Sequence, residues 1–322
     1  MTNNIQFSSV CGIDIAKSVM QVYRVTSDGV VSNKAVKRAD FLNEFRNTSP
    51  ALIGMEACGG SQHWAHELQS LGHTVRLMPP KLVKPYVTGL KNDKNDARGI
   101  YTALVMDVRE VPVKSAAIRD LALLQTMRTK RQREKVAKIN HIRGILSEYG
   151  LIMGKSVNSF LAKAGSLIAE LKERADVSPY IVSELTDLFQ EVKEAIAKIK
   201  ELETNIESIA KTLKHYDLFQ SAPGVGPITA ATMLVLLCNP EVFKNGREFA
   251  AYIGLAPKSS GSDGKNFVTH IPKKYECNNE VRTLLVQCAH AICRSKHKSD
   301  WVSSILARKP KKVAIIAVAN KL

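Results

Sequence analysis

Four acidic residues carry the strongest chemical signal in this sequence: Asp14 in GIDIAK, Glu56 in IGMEACGG, and Asp93 and Asp96 in GLKNDKNDAR. Asp93 and Asp96 stand three residues apart where an amphipathic pattern begins, so a helix there returns both side chains to one side. Acids in a first turn have an ordinary purpose, since they satisfy free N–H groups and complement the helix dipole. Asp14 has no such purpose. It reads as the middle of a strand, CGIDIA, flanked by Ile13 and Ile15, where a charge is costly without a metal ion or a partner. Glu56 ends the apolar run ALIGME. Cleavage of a phosphodiester with two divalent ions needs several carboxylates that converge from different elements and hold the ions roughly 4 Å apart. Asp14, Glu56, Asp93 and Asp96 form a D-E-D-D set suited to that chemistry.

These acids need a frame. From Cys11 the sequence reads as a three-stranded antiparallel meander, CGIDIA, MQVYRVTS and VVSNKAV, with a turn at Ser27-Asp28-Gly29. A short helix, ADFLNEFRN, follows. ALIGMEACGG is a strand, SQHWAHELQSLG a helix closed by Gly72, HTVRLMPP a further strand, and a helix runs from about Asp93 to Asp107. Strands followed by alternating strand and helix predict an α/β domain with a mixed sheet over residues 1–110.

Beyond Val113 the pattern is almost wholly helical. Between Arg128 and Arg143, LALLQTMRTKRQREKVAKINHIRGILSEYG carries Arg128, Lys130, Arg131, Arg133, Lys135, Lys138 and Arg143 with only Glu134 opposing them, a one-sided run that suits contacts with nucleic-acid phosphates. Ile181, Leu185, Leu188, Val192, Ala195, Ile199, Leu202, Ile206, Ile209 and Leu213 alternate spacings of four and three, a heptad seam long enough for a coiled coil. The seam has two possible mates, the basic helix of the same chain or a second subunit, and spacing does not choose between them. Residues 151–178 read as a connecting segment. Residues 111–215 thus form a middle region, and residues 216–322 a further domain.

That last region opens on SAPGVGPITAATMLVLL. Its tight turn feeds a helix, and Gly224 and Gly226 would let a DNA phosphate approach as in a helix-hairpin-helix, although a plain interhelical turn has the same composition. A Ser/Gly loop, KSSGSDGK, and a basic strand-like piece with Lys265, Lys273 and Lys274 come next, before a core helix over residues 278–296. His290, Cys293 and His297 fall at helical spacing there, but a fourth zinc ligand is not evident and VRTLLVQCAHAIC reads as packed core.

Composition bounds the function. With 322 residues, 45% hydrophobic and 24% charged, the chain is long enough for two domains with real cores. A net charge of +16 points to a polyanionic partner, and nucleic acid is the commonest. The charge is uneven: residues 1–110 hold 13 Lys/Arg against 10 Asp/Glu, and residues 258–312 hold 12 against 4. No apolar run spans a membrane and the N-terminus lacks a signal peptide, so a cytoplasmic location is expected. Six cysteines without a C-x-x-C pair give no disulfide framework.

GIDIAK, IGMEACGG and LKNDKNDAR, followed by PGVG, FAAYIGLAP and SGSDGK, together resemble the insertion-sequence transposases and site-specific DNA invertases of the DEDD, Piv/MooV type. The six motifs occur in the right order over nearly the whole chain. The resemblance implies a RuvC-like (ribonuclease H fold) N-terminal domain, long coiled-coil helices and a mainly α C-terminal transposase domain. It implies a prokaryotic, nucleoid-associated enzyme that binds Mg²⁺, two ions, through Asp14, Glu56, Asp93 and Asp96. It also implies a serine of the second domain that attacks DNA and forms a phosphoserine intermediate. Counting five residues on from Pro257 gives Ser262; the family usually reads Ser-Gly, and the one such pair here, Ser260-Gly261, leaves Ser260 as the alternative.

The implied partners are double-stranded DNA of the element ends and target, and a homodimer that assembles to a tetramer on DNA, with the heptad helices as its interface. Relatives of this type also use a structured guide (bridge) RNA encoded beside the gene, and their last helix runs on past the position of Leu322. The rival readings are a RuvC-like nuclease that hydrolyses DNA with water and the four acids alone, an invertase acting at fixed sites, and a non-enzymatic nucleic-acid-binding protein.

Overall fold

The computed structural model describes residues 7–262, 265–268, 270–273 and 277–322, with backbone alone at 259–262 and 265–268. The chain divides into two compact units, residues 1–115 and 116–322.

In the first unit, β1 (Ser9–Asp14), β2 (Val19–Thr26) and β3 (Val31–Lys37) form the antiparallel meander, and β4 (Ala51–Glu56) and β5 (Thr74–Met78) extend it in parallel from β1, giving the order β3-β2-β1-β4-β5. This mixed sheet is compatible with a ribonuclease H-like domain. Successive side chains on a strand alternate between faces, so Cys11, Ile13, Ile53 and Met55 enter one core with Phe41, Phe45 and with Trp64, Ala65 and Leu68 of α1 (Ser61–Ser70). Val10, Gly12 and Asp14 point the other way, as do Leu52, Gly54 and Glu56. That second face is covered by α3 (Asp93–Val105), through Ile100, Ala103 and Leu104, after a short α2 (Pro80–Val83).

Gly12 and Gly54 let α3 lie directly on the sheet. A Cβ at Gly12 would collide with the backbone of Ala97 and Tyr101, approaching Tyr101 Cα to 2.8 Å, and one at Gly54 would meet Leu104 Cδ2 at 3.0 Å. Backbone cannot step aside as a side chain can, so Gly12 fixes how closely the helix sits.

The second unit is built on two helices of 33 residues each, α4 (Ala116–Glu148) and α6 (Pro179–Lys211). Residues 151–178, expected to be a connecting segment, contain a further helix, α5 (Val157–Lys172). Phe160, Ala164, Ile168 and Leu171 recur at spacings of four and three, and the Ser156 side chain caps the helix by accepting from Ser159 N at 3.0 Å. This apolar stripe packs with Ile139, Ile142 and Leu146 of α4 and Leu185 and Val192 of α6. The heptad seam therefore closes within the chain. Its far end, with Ile206 and Ala210, meets Leu121 of α4, Tyr216 of α7 (Tyr216–Gln220) and Ala230 and Leu234 of α8 (Pro227–Leu236), so α4 and α6 share a core with α7 and α8.

A last cluster joins Met233 with residues of α10 (Asn279–Arg294), α11 (Asp300–Arg308) and α12 (Lys311–Lys321). Between α9 (Gly246–Tyr252) and α10 lies a two-stranded ribbon of β6 (Ser259–Ser262) and β7 (Lys265–Val268). Among the described residues, no helix is long and apolar enough to cross a membrane.

Candidate active site

Asp14 is the last residue of β1, not the middle of a strand, and is half-buried. The register pairs Ile13 with Met55, so the next residue of each parallel strand, Asp14 and Glu56, ends its strand beside the other on the α3 face. The N-terminus of α3 supplies the remaining acids. Its cap is Asn92, whose side-chain oxygen accepts from Asn95 N at 2.9 Å, so Asp93 and Asp96 are first-turn residues left over from capping. Ligand atoms of Asp14, Asp93 and Asp96 lie within 4.8 Å of one another, the one such grouping of His, Cys, Asp and Glu among the described residues. Glu56 stands beside this triad rather than inside it.

The electrostatics match the geometry. Burial raises the Asp14 carboxyl above the ordinary carboxylate range, and the negative charges of Asp96 and Asp93 raise it further. Glu56 is raised in the same direction, first by burial and then by Asp14 and Asp96. None of the four acids forms an ion pair among the described residues, and the backbone hydrogen bond that Asp14 receives from Ile15 offsets only part of their repulsion. An all-carboxylate donor set with uncompensated charge suits a hard divalent cation such as Mg²⁺. The residues present fit that group.

The serines lie in the second unit. Ser262 ends β6 opposite Lys265, while Ser260 sits within the ladder opposite Phe267. Lys274 lies outside the described residues, and Lys273 is exposed.

The basic residues of α4 differ in their partners. Arg128 donates to Glu203 Oε1 of α6 at 2.7 Å through Nε, and Lys138 pairs with Glu191 of α6 at 2.6 Å. Arg143 donates to the carbonyls of Gly154 and Ser156 at 2.8 and 3.0 Å. These three brace the helical layer, and the acidic side of α6 explains much of the one-sided charge of α4. Lys130, Arg131 and Arg133 are exposed, and Lys135 is half-buried.

The Gly224 turn is divided in the same way. Gly224 has φ +75°, and a Cβ there would meet the Cys288 carbonyl of α10 at 2.9 Å, so it serves close packing in a left-handed turn. Gly226 caps α8 with open space around it. The His290, Cys293 and His297 grouping does not form, because α10 ends at Arg294 and leaves His297 beyond the helix.

Sequence reasoning missed Gly12, Gly54 and Asn92 as determinants of the site. The signal was present in GIDIAK and IGME, where glycine and acid alternate on one strand face. Its meaning depends on a helix crossing that face.

Comparison with known proteins gives two family matches. The family described as "Transposase IS116/IS110/IS902 family" matches residues 216–303, and the IS110-type DEDD family, described as "Transposase", matches residues 11–151. The chain is 34% identical over 321 residues to the "Probable family 20 transposase" of Pseudomonas aeruginosa, covering 96% of this chain and 93% of that one. It is 32% identical over 319 residues to the "Transposase for insertion sequence element IS1111A" of Coxiella burnetii, covering 97% of this chain and 86% of that one.

Proposed function

The chain belongs to the IS116/IS110/IS902 family and is a DNA transposase, and on that premise we propose that Asp14, Glu56, Asp93 and Asp96 hold Mg²⁺ while Ser262 attacks the scissile phosphate. The observation that carries this reading is the convergence of three carboxylates from β1 and α3 within 4.8 Å, none of them in an ion pair among the described residues.

When bound, two Mg²⁺ ions would polarise the phosphate and favour the ionised nucleophile and leaving oxygen. Asp14 and Glu56 hold the strand side of the site, and Asp93 and Asp96 the helix side. A serine hydroxyl is a weak nucleophile at neutral pH and has to lose its proton as it attacks. Its oxygen forms a bond to phosphorus, the bond from phosphorus to one sugar oxygen breaks, and that oxygen takes up a proton. The phosphoserine preserves the bond energy, so a second strand's hydroxyl can displace the serine and restore it. Ser260 is the alternative nucleophile; Ser262 ends β6 while Ser260 lies within the ladder, and the count from Pro257 favours Ser262.

The partners in this reading are the DNA of the element ends and target, with a guide RNA as a further ligand of the basic surface. Gly226, Lys130, Arg131, Arg133, Lys135, Lys265, Lys273 and Lys274 are the proposed nucleic-acid contacts, and Arg128, Lys138, Arg143 and Gly224 act through structure. The reading keeps the enzyme in the cytoplasm, on the nucleoid, as a homodimer that pairs on DNA. Because the apolar seam of α6 closes inside the chain, such a dimer would use other surfaces.

The test is strand cleavage of DNA carrying the element's junction, with its encoded RNA, in Mg²⁺ and in chelator. Cleavage that needs Mg²⁺ and is lost in Asp14→Asn supports the reading. Cleavage that persists in Asp14→Asn refutes it.

A further inference from the structure

Gln21 is a polar residue on β2 with only 5% of its surface exposed. The register places it directly opposite Asp14, and alternation along the strand puts both on the α3 face. A buried amide needs a hydrogen-bond partner. Gln21 finds it diagonally across the sheet, where Nε2 donates to Asn33 Oδ1 of the edge strand β3 at 2.7 Å. Asn33 in turn donates from Nδ2 to the backbone carbonyl of Lys94 at 3.1 Å.

Lys94 lies in the first turn of α3, between Asp93 and Asp96. The other polar ties at this end are local to the helix and its loop: Asn92 caps Asn95 N, and Asn95 Nδ2 donates to Leu90 O at 2.7 Å. Among the described residues, Asn33 to Lys94 is the one side-chain hydrogen bond that joins the sheet to that turn. Gly12 sets how close α3 lies to the sheet farther along the helix, at Ala97 and Tyr101, and leaves open the angle at which the first turn faces it.

We infer that Gln21 and Asn33 are positioning residues for the acidic site, an amide chain that sets the first turn of α3 so that Asp93 and Asp96 converge on Asp14. Asparagine suits the middle of such a chain because its carboxamide accepts at one atom and donates at the other. Both act through the α3 backbone. The inference rests on the proposed function, since it supposes that the carboxylates bind a divalent ion.

The test is binding of Mn²⁺ to the full-length protein, read by the loss of the free-ion signal in electron paramagnetic resonance, with the metal-free melting temperature measured beside it. Groups that orient metal ligands typically contribute 10- to 100-fold to affinity. Asn33→Ala and Gln21→Met are each expected to weaken Mn²⁺ binding about tenfold, and the double variant to be no weaker than the worse single one, as for members of one chain. The metal-free melting temperature falls by only a few degrees in each case.

Unchanged Mn²⁺ binding in both single variants, with or without a loss of stability, overturns the inference, and so do losses that multiply in the double variant. Gln21→Met keeps the volume of the buried side chain, so it carries the test if Asn33→Ala disturbs folding. Wild-type protein that takes up no Mn²⁺, or uptake undiminished in Asp14→Asn, overturns the metal-binding part of the proposed function and this inference with it. Wild-type uptake that needs Asp14 but not Asn33 or Gln21 overturns the inference alone.

Discussion

Asp14 and Glu56 end two neighbouring parallel strands side by side, because the register of β1 on β4 pairs Ile13 with Met55 one step before. Both acids face α3, so the helix that covers this side of the sheet completes the site with Asp93 and Asp96.

That concentration of charge has a cost in the absence of a cation. Asp14→Asn removes a half-buried carboxylate that is repelled by Asp96 and Asp93. The metal-free variant is expected to melt about 1–3 °C above the wild type, while DNA cleavage is lost. Paired thermal melts and cleavage assays check both parts; a lower melting temperature would mean that Asp14 has a stabilising partner.

The pH dependence follows from the direction of the shifts. Asp14 and Glu56 titrate above the ordinary carboxylate range in the folded chain, so between the unfolded and folded values the folded state holds more protons. Stability is then lost as pH rises through the folded values and is regained on acidification. Metal-free melting temperature is expected to fall as pH rises from the ordinary carboxylate range through the raised values, and the stabilisation given by Mg²⁺ to grow, since the ion displaces those protons. Melts across that range with and without Mg²⁺ are the measurement. Stabilisation by Mg²⁺ that does not change between the ordinary carboxylate range and neutral pH would contradict it.

Gly12→Ala forces a methyl group against the Ala97 and Tyr101 backbone. Overpacking of this kind costs about 1–3 kcal/mol, and the relief available is outward movement of α3, which carries Asp93 and Asp96 away from Asp14. Denaturant unfolding should register the loss of stability, and Mg²⁺ titration a weaker site. Gly226→Ala, placed in open space, should change neither.

The basic residues of α4 separate into two groups. Arg131→Ala and Arg133→Ala, at exposed positions, should each lower the salt dependence of nucleic-acid binding by about one unit of slope with melting unchanged. Arg128→Ala leaves Glu203 without its partner and should reduce stability by roughly 1 kcal/mol. Binding titrations at several salt concentrations, set beside thermal melts, separate the two effects.

Much of this was legible in sequence. The strands and their order along the chain followed from apolar alternation and turn residues, and the four acids stood out because an acid beside Ile13 and Ile15 has no capping purpose. Other features were not legible, for physical reasons, and one was legible and missed. Asp14 ends its strand because pairing stops there, which depends on the partner strands. α5 is the one that was legible and missed, since the Ser156 cap and the stripe of Phe160, Ala164, Ile168 and Leu171 are ordinary helix signals. The division of labour on α4 depends on which acids of α6 face it, and that is set only when the two helices pack antiparallel, Arg128 against Glu203 and Lys138 against Glu191. The Gln21 and Asn33 chain was invisible for the same reason, since its members come together only through the register of β2 on β3 and the placement of α3.

The most direct test of the account is to trap the protein on DNA. Full-length protein is incubated with Mg²⁺, DNA carrying the element's junction and the RNA that the element encodes, then denatured and examined for protein covalently joined to DNA, for the wild type, Ser262→Ala, Ser260→Ala and Asp14→Ala. The account predicts an adduct that is present in the wild type and Ser260→Ala and absent in Ser262→Ala and Asp14→Ala. Cleavage without any adduct, abolished by Asp14→Ala and untouched by Ser262→Ala, would contradict it and mark the enzyme as one that cuts DNA with water.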